Sequence, residues 1–430
     1  MSATTAAAVI LAVMVAAFVV AKLLKVSTEL SLFAAALAGA LAGGKGVPAR
    51  HIVEGAFTYF DIVLIFVTAT LFMNLLKESG AAAFVVRAIL RRFHRHKAPL
   101  FVLLALLLLV PGALTGAGSV TVLIMGGMAA TVLRTMDIPG PKVAAIIFII
   151  AGLSAAAPPV NLWAMLTAAG VNMPYVGFFL PLLIPCVLLS LLAIFILGAK
   201  AKPVDLAKAL AELPEAPAKM TWLRVAAPFL VFFVFVLAGR VFPFNLPALG
   251  LPLVFAAAAG TALALSPARI ALLRVSRETV HQLLPLVGTL TCAGILVQIM
   301  ALTGVRGLIA VTTVTLPVTV VFLTLFLILP VSESVLMWGA APVLGVPLVL
   351  LFNTIGLDPV VALAGMSVIW PLGDAIPPTA IIGRLTATTV GMKEPYGRFL
   401  RYCLVPAVLI AVVGTLMVVF SKKLAFLAVF

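Results

Sequence analysis

Residues 98–135 read APLFVLLALLLLVPGALTGAGSVTVLIMGGMAATVLRT. An apolar helix crosses a bilayer in about 20 residues, so this run is too long for one crossing. It is also too continuous for two loosely joined ones. Its middle carries Pro111, Gly112, Gly116 and Gly118, then the polar residues Ser119 and Thr121. Non-helical backbone at membrane depth persists only where protein or a water-filled cavity satisfies it. The run therefore predicts a re-entrant hairpin that enters the membrane, turns at Gly116-Ala117-Gly118-Ser119 and leaves on the side it came from. Residues 308–354 predict a second hairpin, interrupted at Pro330, Ser332, Glu333 and Ser334.

The rest of the chain has the same solvent. Of its 430 residues 64% are hydrophobic and 10% charged, against roughly 45–50% and 25% in soluble domains. That excludes a water-soluble enzyme, a disordered tail protein and a disulfide scaffold. The other apolar runs are 5–24, 27–44, 56–76, 142–171, 177–199, 222–242, 247–265, 280–301, 359–390 and 398–420. The first lacks a positive n-region and reads as a spanning helix, not a cleaved signal. Cys186, Cys292 and Cys403 lie inside apolar runs and read as small hydrophobes. The net charge of +15 reads as loop charge that fixes orientation, because no basic stripe alternates with aromatics as a nucleic-acid surface would.

Two further runs are broken at a proline pair. Run 142–171 carries Pro158-Pro159 followed by Asn161; run 359–390 carries Asp374, then Pro377-Pro378 and Thr379. A Pro-Pro pair removes two amide donors and pushes the preceding residue out of helical space, so each run predicts two half-helices with an unwound joint. The order of parts repeats: a spanning run, a connector, a hairpin, a turn and a broken helix. The connector 78–97 reads as an amphipathic surface helix with Ala81, Phe84, Val85, Ala88 and Ile89 on its apolar side. Pro158 lies 17 residues beyond Pro141, and Pro377 lies 18 beyond Pro359, which puts the two breaks at matching depth.

With both hairpins non-crossing and the N-terminus outside, only Lys45, Arg50, Arg240, Arg306, Lys422 and Lys423 of the 28 basic residues fall outside. The other 22 are cytoplasmic, as the positive-inside rule asks. This count gives about ten crossings plus two hairpins, and an odd number of crossings between the repeats, so the repeats are inverted. The halves are 1–199 and 222–430, joined by a solvated cytoplasmic linker at 200–221. Internal repeats with broken helices point to a secondary transporter whose site lies at the midplane.

Candidate ligands cluster at the interruptions. Thr115, Gly116, Gly118, Ser119 and Thr121 form the first tip; Ser332, Glu333 and Ser334 the second. Pro158, Pro159 and Asn161 form the first break; Asp374, Pro377, Pro378 and Thr379 the second. Half-helix N-termini suit an anionic substrate, while freed carbonyls and hydroxyls suit a hard cation. Any single Ser or Thr could simply bond its own backbone four residues back. Intramembrane carboxylates are different: each costs about 2.5 kcal/mol or more at the bilayer centre, which makes Glu333 and Asp374 functional candidates. Arg384 reads as a snorkelling residue or as a partner for a substrate carboxylate.

The layout resembles the large permease subunit of the tripartite ATP-independent periplasmic (TRAP) transporters, within the ion transporter superfamily, from about 56 to 420. The residues that carry the resemblance are Leu75-Leu76-Lys77-Glu78-Ser79-Gly80, Thr115-Gly116-Ala117-Gly118-Ser119-Val120, Pro158-Pro159, Glu333, Gly356-Leu357-Asp358-Pro359 and Gly373 before Pro377-Pro378. Val160 and Ile376 depart from the Ser and Thr often found there, and Asp374 is an addition. The resemblance implies an all-α, elevator-type transporter in the bacterial cytoplasmic membrane. It implies sodium-coupled uptake of an organic acid of the C4-dicarboxylate kind, with sodium near the hairpin tips and helix breaks; the oxygen-bearing residues there in this chain put the expected sodium near Ser119, Asn161, Ser334, Asp374 and Thr379. No cofactor is implied, and a proton is the other coupling ion to consider. It also implies a small membrane subunit and a periplasmic binding protein as partners. The alternative is a stand-alone carrier or sodium/proton antiporter of the same superfamily.

The topology is testable directly. Cysteines at Lys202 and Lys393 are expected to react only with reagent supplied from the cytoplasm, and one at Arg306 only from outside. Labelling of Lys202 and Arg306 from one face contradicts the inverted reading.

Overall fold

The computed structural model describes residues 2–242 and 249–428, without the side chain of Arg240. Arg240 in the charge count, the start of the run 247–265 and the chain's last two residues therefore lie outside the described residues. Everything described is helix or connection. Among the described residues nine helices are long and apolar enough to cross a membrane, including Ala3–Leu23, Leu272–Leu302 and Tyr396–Val419.

The first half runs α1 (Ala3–Leu23), α2 (Thr28–Ala42), α3 (Ala49–Phe57), α4 (Phe60–Glu78), α5 (Ala81–Phe93) and α6 (Lys97–Thr115). The chain then reverses and returns through α7 (Gly118–Thr121), a π-turn at Val122–Gly126 and α8 (Gly127–Thr135). After it come α9 (Gly140–Ala156), α10 (Leu162–Gly170) and α11 (Phe179–Leu197). Two glycines set the first reversal and its entry. Gly80 (φ 79°) turns the chain into α5, and Gly116 (φ 65°) ends α6, a left-handed conformation that costs glycine little.

The linker holds α12 (Leu206–Glu212). The second half runs α13 (Trp222–Val241), α14 (Leu251–Ala264), α15 (Leu272–Leu302), α16 (Val305–Thr315), α17 (Val318–Leu336) and α18 (Val346–Thr354). It closes with α19 (Pro359–Ile369) and its 3-10 extension Trp370–Ala375, α20 (Ile381–Val390), α21 (Tyr396–Val419) and α22 (Ser421–Leu424).

Each hairpin opens on one face. Lys97 at the mouth of the first donates to the Ala199 carbonyl at 2.6 Å. At its other end Lys202 pairs with Asp137 at 2.7 Å, so both arms end beside the exit of α11. The Lys202 ammonium holds the exposed Asp137 carboxyl below its usual range by hydrogen bond and charge. In the second hairpin Phe322, near the start of α17, faces Phe352, near the end of α18, with ring centroids 6.1 Å apart. Arg134, at the end of the first hairpin, reaches the carbonyls of Val390 and Gly391 at the end of α20. Arg306, before the second hairpin, donates to the Gly170 carbonyl at the end of α10 at 2.6 Å. The last turn of each broken helix therefore lies against the other half's hairpin: a Cβ on Gly170 would lie 2.4 Å from Val346 Cγ2 at the start of α18, and one on Gly126 would lie 3.5 Å from Thr389 Cγ2 of α20.

The remaining helices cross-pair as well. α2 packs on α15, and α14 on α4. α3 meets α15 at near backbone contact: a Cβ on Gly55 would lie 2.5 Å from Ile295 Cα, and one on Gly294 would lie 2.2 Å from the Gly55 carbonyl oxygen. Small residues of this kind let helices approach without a hydrophobic drive between them.

Four details differ from the sequence expectation. The second hairpin begins at Val318, not 308, because Leu316-Pro317 ends a separate helix at Thr315. That helix follows Gly304 (φ 76°) as α5 follows Gly80. The spanning run placed at 280–301 begins at Leu272, so Arg274 and Arg277 extend a helix and not a loop. The buried face of α5 is Ala81, Ala83, Val86 and Leu90. Phe84, Val85, Ala88 and Ile89 are only half-buried, because the helix is apolar over more than half its girth. Lastly, the linker is docked and not merely solvated. Val204, Ala209, Leu213 and Met220 are buried, and Arg87 of α5 donates to the carbonyls of Leu210, Leu213 and Pro214.

Candidate functional site at the hairpin tips

Each broken helix leaves amides and carbonyls without helical partners, and the hairpin tips supply them. At the first break Val160 N–H donates to the Ala113 carbonyl of α6 at 3.1 Å. At the second, in the same place relative to its proline pair, Thr379 N–H donates to the Ser334 carbonyl of α17 at 3.4 Å, and the Thr379 hydroxyl donates to it at 2.9 Å. Both proline pairs are cis.

The fit between tip and break is tight. A Cβ on Gly112 of α6 would fall 1.9 Å from Ser154 Oγ of α9. One on Gly373 would fall 2.2 Å from the Pro330 carbonyl oxygen and 2.7 Å from Glu333 Cβ. Ser154 and Gly373 each lie four residues before their proline pair, so they hold matching positions. Each tip also touches the half-helix that follows the other break. A Cβ on Gly118 would meet the Ala151 carbonyl oxygen of α9 at 2.6 Å and Ile382 Cδ1 of α20 at 2.9 Å. Across the molecule Trp163 of α10 donates its indole N–H to Glu333 Oε2 of α17 at 2.8 Å. Thr167 of α10 donates to the Ala341 carbonyl of the same hairpin at 3.2 Å.

The polar side chains divide by what they already hold. Thr115 donates to the Pro111 carbonyl at 2.7 Å. Thr121 and Ser154 share a hydrogen bond of 2.8 Å, and Ser154 donates to the Ala151 carbonyl. Asn161 is fully buried with both ends of its amide engaged: Oδ1 accepts from Ala164 N–H and caps α10, and Nδ2 donates to the Ala156 carbonyl. It braces the first break, which leaves little of it for an ion. Ser119 is half-buried beside these groups. Ser332 donates to the Leu329 carbonyl and accepts from the Trp370 indole at 3.3 Å. Ser334 donates to the Val331 carbonyl. The chain reverses at Met337 (φ 55°), so Ser332, Glu333 and Ser334 lie in the last turn of α17 and not at the apex.

Glu333 and Asp374 stand apart from this pattern. They are 1% and 4% exposed. Glu333 Oε1 and Asp374 Oδ2 have no hydrogen-bond partner, and no basic side chain pairs with either carboxylate among the described residues. Arg384 is exposed and does not pair with Asp374. Pro377 and Pro378 are exposed where Pro158 is buried and Pro159 half-buried, so the two breaks are unequal in access. A cavity of about 520 Å³ borders Pro158 and Pro159, lined by Lys77, Phe179 and Phe229 among others. One of about 690 Å³ borders Ser332 and Pro378, lined by Met14, Phe18 and Lys22 among others.

Sequence reasoning passed over Trp163 and Trp370. Both are fully buried, and both aim their indole N–H at the second hairpin. A Trp two residues after a capping Asn reads as core; the only signal was that a buried indole N–H needs an acceptor.

Comparison with known proteins supports this architecture. No protein-family profile matches the chain, and no curated protein matches it by sequence. Two solved membrane transporters share its fold. The Alcanivorax borkumensis YdaH transporter, described as having an unusual topology, is 15% identical with a TM-score of 0.59, over 86% of this chain and 87% of that one. Neisseria gonorrhoeae MtrF, described within a class of antimetabolite efflux pumps, is 14% identical with a TM-score of 0.61, over 86% and 83%. The chain is an all-helical, multi-pass membrane protein with a transporter fold.

The Trp163–Glu333 bond is separable by mutation. Trp163→Phe leaves a buried carboxylate oxygen without its donor and should cost about 1–3 kcal/mol, read as a lower melting temperature in detergent. Glu333→Gln keeps an acceptor and should cost less. Equal losses would mean that the bond contributes nothing specific.

Proposed function

We propose that the protein is a secondary active transporter that takes up an organic anion at the expense of a cation moving down its gradient. The observation that carries this reading is the crossed clamp. Each hairpin tip is bonded to the break in its own half and packed on the half-helix following the break in the other. Inverted repeats that meet at broken helices bind substrate near the midplane and alternate its access. The amides that open α10 and α20 sit at half-helix N-termini, where a carboxylate is favoured, and the first tip, which carries Ser119, packs against Ile382 at the start of α20. Residues carried by the TRAP resemblance lie at this junction, which supports an organic acid as cargo and sodium as coupling ion, with sodium near Ser119 and the carbonyls about Asn161. The same resemblance supports uptake across a bacterial cytoplasmic membrane, by an elevator motion, with a small membrane subunit and a binding protein.

A stand-alone carrier is the second reading. It is favoured by the match to the YdaH transporter and MtrF over nearly the whole of each chain. Adjacent genes for a binding protein and a small membrane subunit would decide for the tripartite reading.

In proteoliposomes, uptake of a labelled C4-dicarboxylate is expected to require an imposed sodium or proton gradient. Glu333→Gln should lower it about tenfold, the loss of an interaction of roughly 1.4 kcal/mol, with membrane insertion unchanged. Wild-type rates in that variant under every gradient would leave Glu333 a structural residue only.

A further inference from the structure

We propose that the seam between the first hairpin and helices α4, α5 and α13 is a binding site for one anionic phospholipid of the cytoplasmic leaflet, with an acyl chain in the seam and the headgroup at Lys77 and Arg224. This goes beyond the carrier reading and does not rest on it.

The slot for the acyl chain is the cavity of about 520 Å³ that borders Pro158 and Pro159. Among the described residues Lys77 is its one polar lining side chain; the rest are aliphatic, Met, Phe or Pro. Water is poorly held by such walls, because a buried water needs two to four polar partners. Leu106 of α6, Phe179 of α11 and Phe233 of α13 line the cavity and are exposed, so it opens sideways to the hydrocarbon of the bilayer. Val225, Phe229 and Phe233 lie on one face of α13. At 1.5 Å per residue they span about 12 Å, against about 15 Å for one leaflet's half of the hydrocarbon core. A chain lying there would also cover Pro158-Pro159 and so shield the first break from water.

One end of the slot suits an anionic headgroup. Lys77 ends the slot and is exposed. Glu78 beside it is taken by Arg274 at 3.0 Å, and no acid pairs with Lys77 or Arg224 among the described residues. Arg224 directly precedes the lining residue Val225. It is half-buried, and its Nη1 donates to the Lys219 carbonyl at 2.8 Å, which fixes the guanidinium at the start of α13. The linker reaches the same end: a Cβ on Gly80 would lie 2.5 Å from Pro217 Cδ. Its Glu215 is exposed and forms no ion pair among the described residues. Trp222 is exposed and meets Phe84 of α5 edge-on, with ring centroids 5.2 Å apart. An amphipathic aromatic in that place marks the membrane interface. The charge count makes this end cytoplasmic, and basic pockets between helices on that side take anionic headgroups.

The second cavity supplies a contrast. It too is lined almost wholly by apolar side chains and has one lysine, Lys22. That ammonium is already engaged, donating to Thr28 Oγ1 at 3.1 Å and to the Val26 carbonyl at 3.5 Å. Selectivity for a charged headgroup therefore belongs to the first cavity.

The purified full chain in detergent is titrated with phosphatidylglycerol and with phosphatidylcholine of the same acyl chains, and bound lipid is counted by native mass spectrometry. The wild type should prefer phosphatidylglycerol. Lys77→Gln and Arg224→Gln should each lower that preference about fivefold, and Lys22→Gln should leave it unchanged. Ala82→Phe, which fills the slot from α5, should weaken both lipids alike. Should that variant not fold, the charge variants carry the test. Equal binding of the two lipids by the wild type would overturn the proposal. So would a preference that survives the Lys77→Gln/Arg224→Gln double variant, or one that Lys22→Gln lowers as much. A benzophenone at Phe233 should capture lipid in native membranes; capture of a polypeptide there would give the seam to a partner subunit and overturn the lipid site.

Discussion

A peptide group unwound at membrane depth must find its hydrogen-bond partner inside the protein, and the centre of this molecule is arranged by that requirement. The proline pairs at 158–159 and 377–378 open two helices. The carbonyls of Ala113 and Ser334, each at the end of a hairpin's inward arm, close them. A hairpin that ended a turn earlier would leave the breaks unsatisfied, and a Cβ at Gly112 or Gly373 would push the tips away. Hairpins, breaks and glycines are thus parts of one solution.

The same frame explains why the two halves differ where they do. In the first, Ser154, Thr121 and Asn161 satisfy one another or the backbone, and Pro158 is buried. In the second, Gly373 stands where Ser154 does and Asp374 follows it. The tip contributes Glu333, and both prolines are exposed. Matching backbones carry unequal chemistry: a braced joint on one side and a pair of acids on the other. Trp163 ties the two together, because it stands on the half-helix that Asn161 caps and bonds the acid of the other tip.

Much of this was legible in the sequence because Pro and Gly interrupt apolar runs only where the backbone must depart from a helix. The first hairpin, both breaks and the candidate role of Glu333 and Asp374 follow from such interruptions and from the cost of a buried charge. What stayed hidden has physical reasons. Val305–Thr315 carries no charge after Arg306 to part it from the hairpin, so its separate identity rests on Leu316-Pro317. The reversal at Met337 uses a left-handed non-glycine residue, which leaves no glycine to mark it. The linker carries charge enough to read as solvated, yet its few apolar residues and free carbonyls serve α5 and Arg87. Whether an Asn caps a helix or offers its oxygen to an ion is decided by neighbours such as Ala156 that sequence does not bring together.

The central claim is that the second hairpin is clamped by the first half's broken helix, and cross-linking tests it most directly. With Cys186, Cys292 and Cys403 replaced, cysteines at Thr167 and Ala341, which hydrogen-bond across this contact, are introduced together in native membranes. The account predicts an intramolecular cross-link with a short bifunctional thiol reagent, formed only when both cysteines are present. Free thiols at both positions after full exposure to reagent, in protein that still inserts, would contradict it.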